Sequence, residues 1–185
     1  GVLSNGLRGI GSYLKTLVLI NNSIGNEGLL AVVEALQTCT SLEKLYLNSN
    51  DFSSAATGLG SLSDWLERDE VILNQLYLRN CRIDDEGLRA LAQGAANQCF
   101  ELDLEGNDFI TAAGLRNLSN SLQSDSCRVE TLSVKHISIG DEGLEVLGQG
   151  LVGYQSLTNL YLEDVGDDIS VTSAGWLALS RALCD

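Results

Sequence analysis

Few residues in this chain could do covalent or metal chemistry. There is one histidine, His136, there are five cysteines (Cys39, Cys81, Cys99, Cys127 and Cys184), and there are 25 acidic side chains against 11 basic ones. Nucleophilic catalysis needs a Ser or Cys held beside a base, and no nucleophile motif surrounds any Ser or Cys here. His136 reads instead as a polar residue in a turn just past a strand. Asp103, Glu105 and Asn107 alternate like the start of a calcium loop, but the remaining ligands are missing and the first two acids sit on a strand. No G-x-x-x-x-G-K phosphate loop occurs. The expectation is a non-enzymatic chain with no metal and no cofactor.

What must position the other polar residues is a leucine phrase repeated six times. Its clearest copies carry Leu14, Leu17, Leu19, Asn22 and Ile24, then Leu42, Leu45, Leu47, Asn50 and Phe52, then Leu73, Leu76, Leu78, Cys81 and Ile83. Degenerate copies start at Cys99 (with Leu102, Leu104, Asn107 and Phe109), at Val129 (with Leu132, Val134, Ile137 and Ile139) and at Leu157 (with Leu160 and Leu162). The starts at 14, 42, 73, 99, 129 and 157 are spaced by 28, 31, 26, 30 and 28 residues. Each strand phrase precedes a Gly-Leu or Gly-Trp pair and apolar residues three or four apart, such as Leu115, Leu118 and Leu122, which predicts an amphipathic return helix. Three of these helices open on Asn26-Glu27, Asp85-Glu86 and Asp141-Glu142, where an acceptor side chain would cap orphan N–H groups and meet the helix dipole.

The phrase L-x-x-L-x-L-x-x-N/C-x-L at this period resembles the ribonuclease-inhibitor-like class of leucine-rich repeats over about residues 14 to 185. The resemblance implies an α/β solenoid of about six repeats, a right-handed horseshoe with a parallel sheet on the concave face and helices on the convex face. The class includes ribonuclease inhibitors, sensor domains of NOD-like receptors and Ran GTPase-activating proteins, which share a scaffold and not a function. Repeat three, with Cys81 and Cys99, also resembles the cysteine-containing repeats of F-box proteins. The chain departs from the pattern at Ile137 and Val165, which stand in the Asn slot, and at Asp167 and Ile169, where a bulged turn is expected.

Strand alternation assigns the function-bearing surface. If the leucines point inward, the residues between them point out and stack into rows. The first row is Thr16, Lys44, Gln75, Glu101, Thr131, Asn159; the middle row is Val18, Tyr46, Tyr77, Asp103, Ser133, Tyr161. The third is Ile20, Asn48, Arg79, Glu105, Lys135, Glu163. Three of the five tyrosines occupy the middle row, which favours partner anchoring at Tyr46, Tyr77 and Tyr161. Arg79, Glu105, Lys135 and Glu163 alternate in charge and read equally as a cross-strand salt ladder or as partner contacts. Glu101 and Asp103 lack cationic neighbours within their rows and are expected to seek a basic partner. Trp176 is expected in the core, and Trp65 is expected to be partly exposed on a convex patch that forms a weaker second binding surface.

The net charge of −14 disfavours nucleic acid and fits a basic or mixed-charge protein partner. No apolar run approaches the ~20 residues that span a bilayer, and no secretory signal opens the chain. An odd cysteine count that follows the repeat register suggests free thiols in a reducing, cytoplasmic setting. Sequons at Asn21 and Asn117 shift that reading little. Residues 1–13, with Leu3, Leu7 and Ile10 at helical spacing, read as the return helix of a preceding partial repeat, and 14–185 as the array. Both ends look cut, as in a fragment of a longer protein, and an uncapped end would permit self-association. The functional expectation is a protein-binding scaffold, such as the recognition arm of an intracellular sensor; the alternative is an enzyme regulator such as a Ran-type GTPase activator.

Overall fold

The computed structural model describes residues 11–166 and 171–184. Six three-residue strands, β1 (Thr16–Val18), β2 (Lys44–Tyr46), β3 (Gln75–Tyr77), β4 (Glu101–Asp103), β5 (Thr131–Ser133) and β6 (Asn159–Tyr161), form one parallel sheet in sequential order. They alternate with helices α1 (Asn26–Leu36), α2 (Ala56–Leu66), α3 (Asp85–Gln98), α4 (Ala112–Leu122), α5 (Gly140–Leu151) and α6 (Ser173–Ala182). Each element packs on its counterpart in the neighbouring repeats, helix on helix and strand on strand. This is an α/β solenoid. Residues 1–10, and with them most of the proposed preceding return helix, lie outside the described residues, as do Asp167 and Ile169 of the expected bulge.

The leucines build the interior. Leu45, Leu47, Leu76, Leu78, Leu102, Leu104, Leu132 and Val134 are fully buried beneath the sheet, and Leu59, Leu88, Leu115 and Leu144 meet them from the helices. In repeat four the structure corrects the phrase by one residue. Phe109 is exposed and Ile110 takes the buried place, with Arg82 lying over the Phe109 ring.

Every strand leaves the sheet through a residue in the left-handed region directly before the Asn/Cys slot: Asn21, Ser49, Asn80, Gly106, His136 and Asp164. Only Gly106 does so as glycine, and it is doubly constrained, since a Cβ there would sit 2.0 Å from Asn80 Oδ1. The slot residue then satisfies the turn of the repeat before it. Asn107 donates to the carbonyls of Leu78 (2.9 Å) and Leu104 (2.7 Å) and accepts from the N–H groups of Cys81 (3.1 Å) and Ile83 (3.0 Å). Asn50 does the same two repeats earlier, with Leu19, Leu47, Asn22 and Ile24. These amides are buried, so each bond replaces an unmet backbone group. Ile137 and Val165 fill the slot with apolar side chains, and there a backbone bond from Ile139 N to the Val165 carbonyl (2.9 Å) remains.

The acids at the helix starts cap, but across repeats. Asp85 accepts from the Thr111 N–H and hydroxyl, both at 2.7 Å, at the start of α4. Asp141 accepts from Thr172 N (2.7 Å), Thr172 Oγ1 (2.6 Å) and Gly175 N (3.1 Å) at the start of α6, and Asn26 from Gly58 N (2.9 Å) in α2. Self-capping is left to Asp84, Thr111 and Thr172. This explains the Gly of two Gly-Leu or Gly-Trp pairs. A Cβ on Gly114 or Gly175 would lie 2.4 Å from the carboxylate of Asp85 or Asp141, so a side chain would expel the cap.

Two tryptophan expectations are reversed. Trp65 is buried, and its indole N–H donates to the Leu36 carbonyl at 3.2 Å, so no convex patch forms there. Trp176 is 45% exposed beside the exposed Leu177, because α6 has no following helix to cover it among the described residues.

All five thiols are free. Burial pushes the thiol of Cys81 up to about 11 and that of Cys99 up to about 12. Cys127 donates to the Tyr154 hydroxyl (3.1 Å), which donates to the Val129 carbonyl (2.7 Å).

Asn107→Ala removes a four-bond buried node and is expected to cost about 3 kcal/mol in denaturant unfolding, against under ~0.5 kcal/mol for the exposed Asn22→Ala. Native thiol labelling is expected to modify Cys184 first and Cys39, Cys81 and Cys99 only on unfolding, because the thiolate is the reactive form. The Thr172 bonds hold the Asp141 carboxyl below its ordinary range. Its stabilisation is therefore present above the unfolded pKa and lost as pH falls through the lower folded value. Asp141→Asn should flatten that acid limb, read as protease nicking around residues 171–184 against pH.

Candidate functional site

The sheet face that the helices leave uncovered carries the three rows in register. Strand pairing places Tyr46 beside Tyr77, Tyr77 beside Asp103, Asp103 beside Ser133, and Ser133 beside Tyr161. The strands are short and the parallel ladder holds their spacing at ~4.8 Å, so side chains one repeat apart are forced into contact.

Tyr46 and Tyr77 stack, with ring centroids 4.4 Å apart and planes within 9°. Both are half-buried, so the pair is a preformed aromatic plate rather than two free side chains. Burial and the adjacent Glu101 carboxylate hold the Tyr77 phenol well above the usual tyrosine range, which keeps it protonated and a donor. Tyr161 stands apart at the far end of the row, 45% exposed, with Lys135 Nζ 6.0 Å from its ring centroid.

Asp103 is not the free acid that its row suggested. It is 2% exposed; Arg79 Nε donates to Oδ2 at 2.5 Å, and Oδ1 accepts the Glu105 backbone N–H at 3.1 Å. Row-by-row reading missed this because Arg79 reaches diagonally, from the third row of one strand to the middle row of the next. Burial opposes the Arg79 charge, but Asp103 and Glu105 outweigh it and raise the guanidinium pKa. Glu101 accepts from Gln75 Nε2 at 2.6 Å and forms no ion pair among the described residues. Its neighbours, the Gln75 amide and the Tyr77 phenol, are neutral and invisible to a count of charges.

The alternating third row is a salt ladder in two pieces. Arg79 Nη1 lies 3.5 Å from Glu105, and Lys135 Nζ lies 2.9 Å from Glu163. The Glu163 bond raises the Lys135 pKa. Glu163 is the more exposed partner at 64%, so that pair is worth at most ~1 kcal/mol and is open to competition.

Small polar residues complete the surface and went unmarked in the sequence. A depression of about 150 Å³ lies between β4 and β6, walled by Arg79, Glu101, Asp103, Lys135 and Tyr161, with Ser133 among its lining residues. The Ser133 Oγ is buried and has no hydrogen-bond partner among the described residues; neither has Gln75 Oε1 on the neighbouring first row. A wider groove of about 660 Å³ follows the turns past Asn26, Asp51 and Arg82, but none of its buried side-chain polar atoms is unpartnered there. His136 sits at the rim in its left-handed turn, Nδ1 3.2 Å from Asp164. No helix among the described residues is long and apolar enough to cross a membrane.

Comparison with known proteins fits this architecture. The Leucine Rich repeat family model matches residues 12–33, 73–92 and 96–119. Pig ribonuclease inhibitor is 33% identical over 177 residues, covering 90% of this chain and 38% of the inhibitor. Mouse NACHT, LRR and PYD domains-containing protein 12 is 31% identical over 170 residues, covering 90% of this chain and 16% of that protein. The chain therefore spans well under half the length of these relatives. The tropomodulin C-terminal domain of Caenorhabditis elegans shares the fold at a TM-score of 0.51 with 16% identity, covering 98% of this chain and 92% of that one. Repeat phrase, buried asparagine turns, open parallel sheet and these relatives agree: the chain is a leucine-rich repeat protein of the ribonuclease-inhibitor-like class.

Proposed function

We propose that this chain is a protein-binding scaffold that holds a protein partner on the open face of its sheet. The observation that carries the reading is the stacked Tyr46–Tyr77 plate on a rigid parallel ladder. Two rings already fixed against each other offer a large contact area and lose little side-chain entropy on binding, which is what an interface anchor requires. Tyr161 supplies a second aromatic contact at the other end of the row. Arg79, Glu101, Asp103, Glu105, Lys135 and Glu163 lie on the same face and set its polarity around the anchors.

The partner is basic or mixed in charge. The chain carries −14, and on the open face Glu101 has no cation of its own among the described residues. Relatives include a ribonuclease inhibitor, a protein whose name states a protein target, and proteins in which such repeats accompany NACHT and PYD domains. By that likeness the chain acts as the recognition arm of a larger cytoplasmic sensor.

Tyr46→Ala and Tyr77→Ala are each expected to weaken capture of a partner ~10-fold or more while circular dichroism and the unfolding midpoint hold. The double variant should lose less than the sum of the two, because the rings act as one plate. Affinity should fall with added salt. Binding that ignores both tyrosines would move the interface off this face.

A further inference from the structure

We propose that the depression over β4 and β5 is a socket for one arginine side chain of the partner, with Ser133 Oγ as a hydrogen-bond acceptor at its floor. The proposal rests on the open sheet face being the binding surface, and it names what that surface recognises.

Three independent features converge there. Ser133 is 5% exposed, and its Oγ, buried in the lining of the depression, finds no partner among the described residues. A buried hydroxyl in a folded protein is nearly always hydrogen-bonded, to protein or to water, so an unpartnered one on a residue that lines a depression is open to a bond from a guest. Gln75 Oε1, beside Glu101 in the first row but outside the lining of the depression, is a second acceptor without a partner among the described residues; the amide nitrogen of that side chain donates to Glu101.

Charge selects the sign of the guest. Among the described residues, Glu101, Asp103, Glu105 and Glu163 face two cations, Arg79 and Lys135, and both are engaged by carboxylates of this set. Four carboxylates against two cations leave excess negative charge, which the Ser133 hydroxyl, able to donate or accept, does not offset. A carboxylate guest would meet that excess, and the cations that could offset it are already paired.

Geometry selects arginine over lysine. Asp103 is already engaged, but Glu101 and Ser133 lie one strand apart and two residues along, ~4.8 Å by ~7 Å, since Ser133 is the register partner of Asp103. A planar fork of five N–H groups can reach acceptors spread over such an area, while a compact ammonium reaches one or two. The Tyr161 ring, register partner of Ser133, offers a face on which a guanidinium stacks.

The test is an NMR titration of the folded chain with N-acetyl-arginine amide, with N-acetyl-lysine amide and N-acetyl-glutamate amide as controls. Saturable shifts of backbone amides at 101–105 and 131–135 are expected for the arginine probe, several-fold weaker binding for lysine, and none there for glutamate. Ser133→Ala removes the hydroxyl and adds no bulk; it should weaken the arginine probe about 5-fold, the size of one net hydrogen bond. Glu101→Gln should weaken the probe independently. The socket is overturned if glutamate produces these shifts, if arginine leaves them unmoved, or if both Ser133→Ala and Glu101→Gln bind as the parent does. Failure of this titration leaves the Tyr46–Tyr77 interface standing. Loss of partner capture in the tyrosine variants with the arginine shifts intact separates the two the other way.

Discussion

The repeats of this solenoid are tied together by polar side chains that one lends to the next. Asn107 satisfies the turn of the repeat that carries Cys81 and Ile83, Asn50 satisfies the turn of the first repeat at Asn22 and Ile24, and Asp85 and Asp141 cap helices that belong to the repeat after them. A lone repeat would bury backbone groups with no partners, or leave its leucines in water. Stability therefore lies in the interfaces between repeats, as expected of a quasi-one-dimensional array. The same bonds fix the strand spacing on which the open face depends.

That spacing converts short strands into a surface with properties no single repeat has. Tyr46 and Tyr77 become one plate because parallel pairing holds them face to face. Arg79, long enough to cross a row, neutralises Asp103 and Glu105 together and leaves Glu101 to an amide. Toward β5 and β6 the side chains shrink to Thr131 and Ser133 before the bulk of Tyr161, and the sheet face dips between them. The binding surface is the sum of length and charge differences among residues that share one backbone geometry.

The C-terminal repeats show the limits of the pattern. Ile137 and Val165 replace the buried amide with apolar contact, yet the left-handed exit survives at His136 and Asp164, and a backbone bond still links the turns. The turn is set by backbone geometry, with the asparagine reinforcing it. Trp176 shows a similar limit: residue type placed it in the core, but the core needs a helix on each side, and α6 has only one among the described residues.

The leucine spacing by itself determined the fold class, the strand positions and the membership of the three rows, because a buried parallel ladder admits leucine only every second residue and period-two alternation follows from the pleat. The same alternation puts Tyr46, Tyr77 and Tyr161 on one line from the sequence alone. Tertiary structure alone decided which polar groups on that line are free. Asp103 is spoken for by a diagonal arginine, the helix-start acids cap the next repeat rather than their own, Trp65 turns inward to a carbonyl of the preceding helix, and Ser133 is left without a partner among the described residues. Each of these contacts joins residues 24 to 34 positions apart or depends on the reach of one side chain, and one-dimensional spacing carries neither the distance nor the direction.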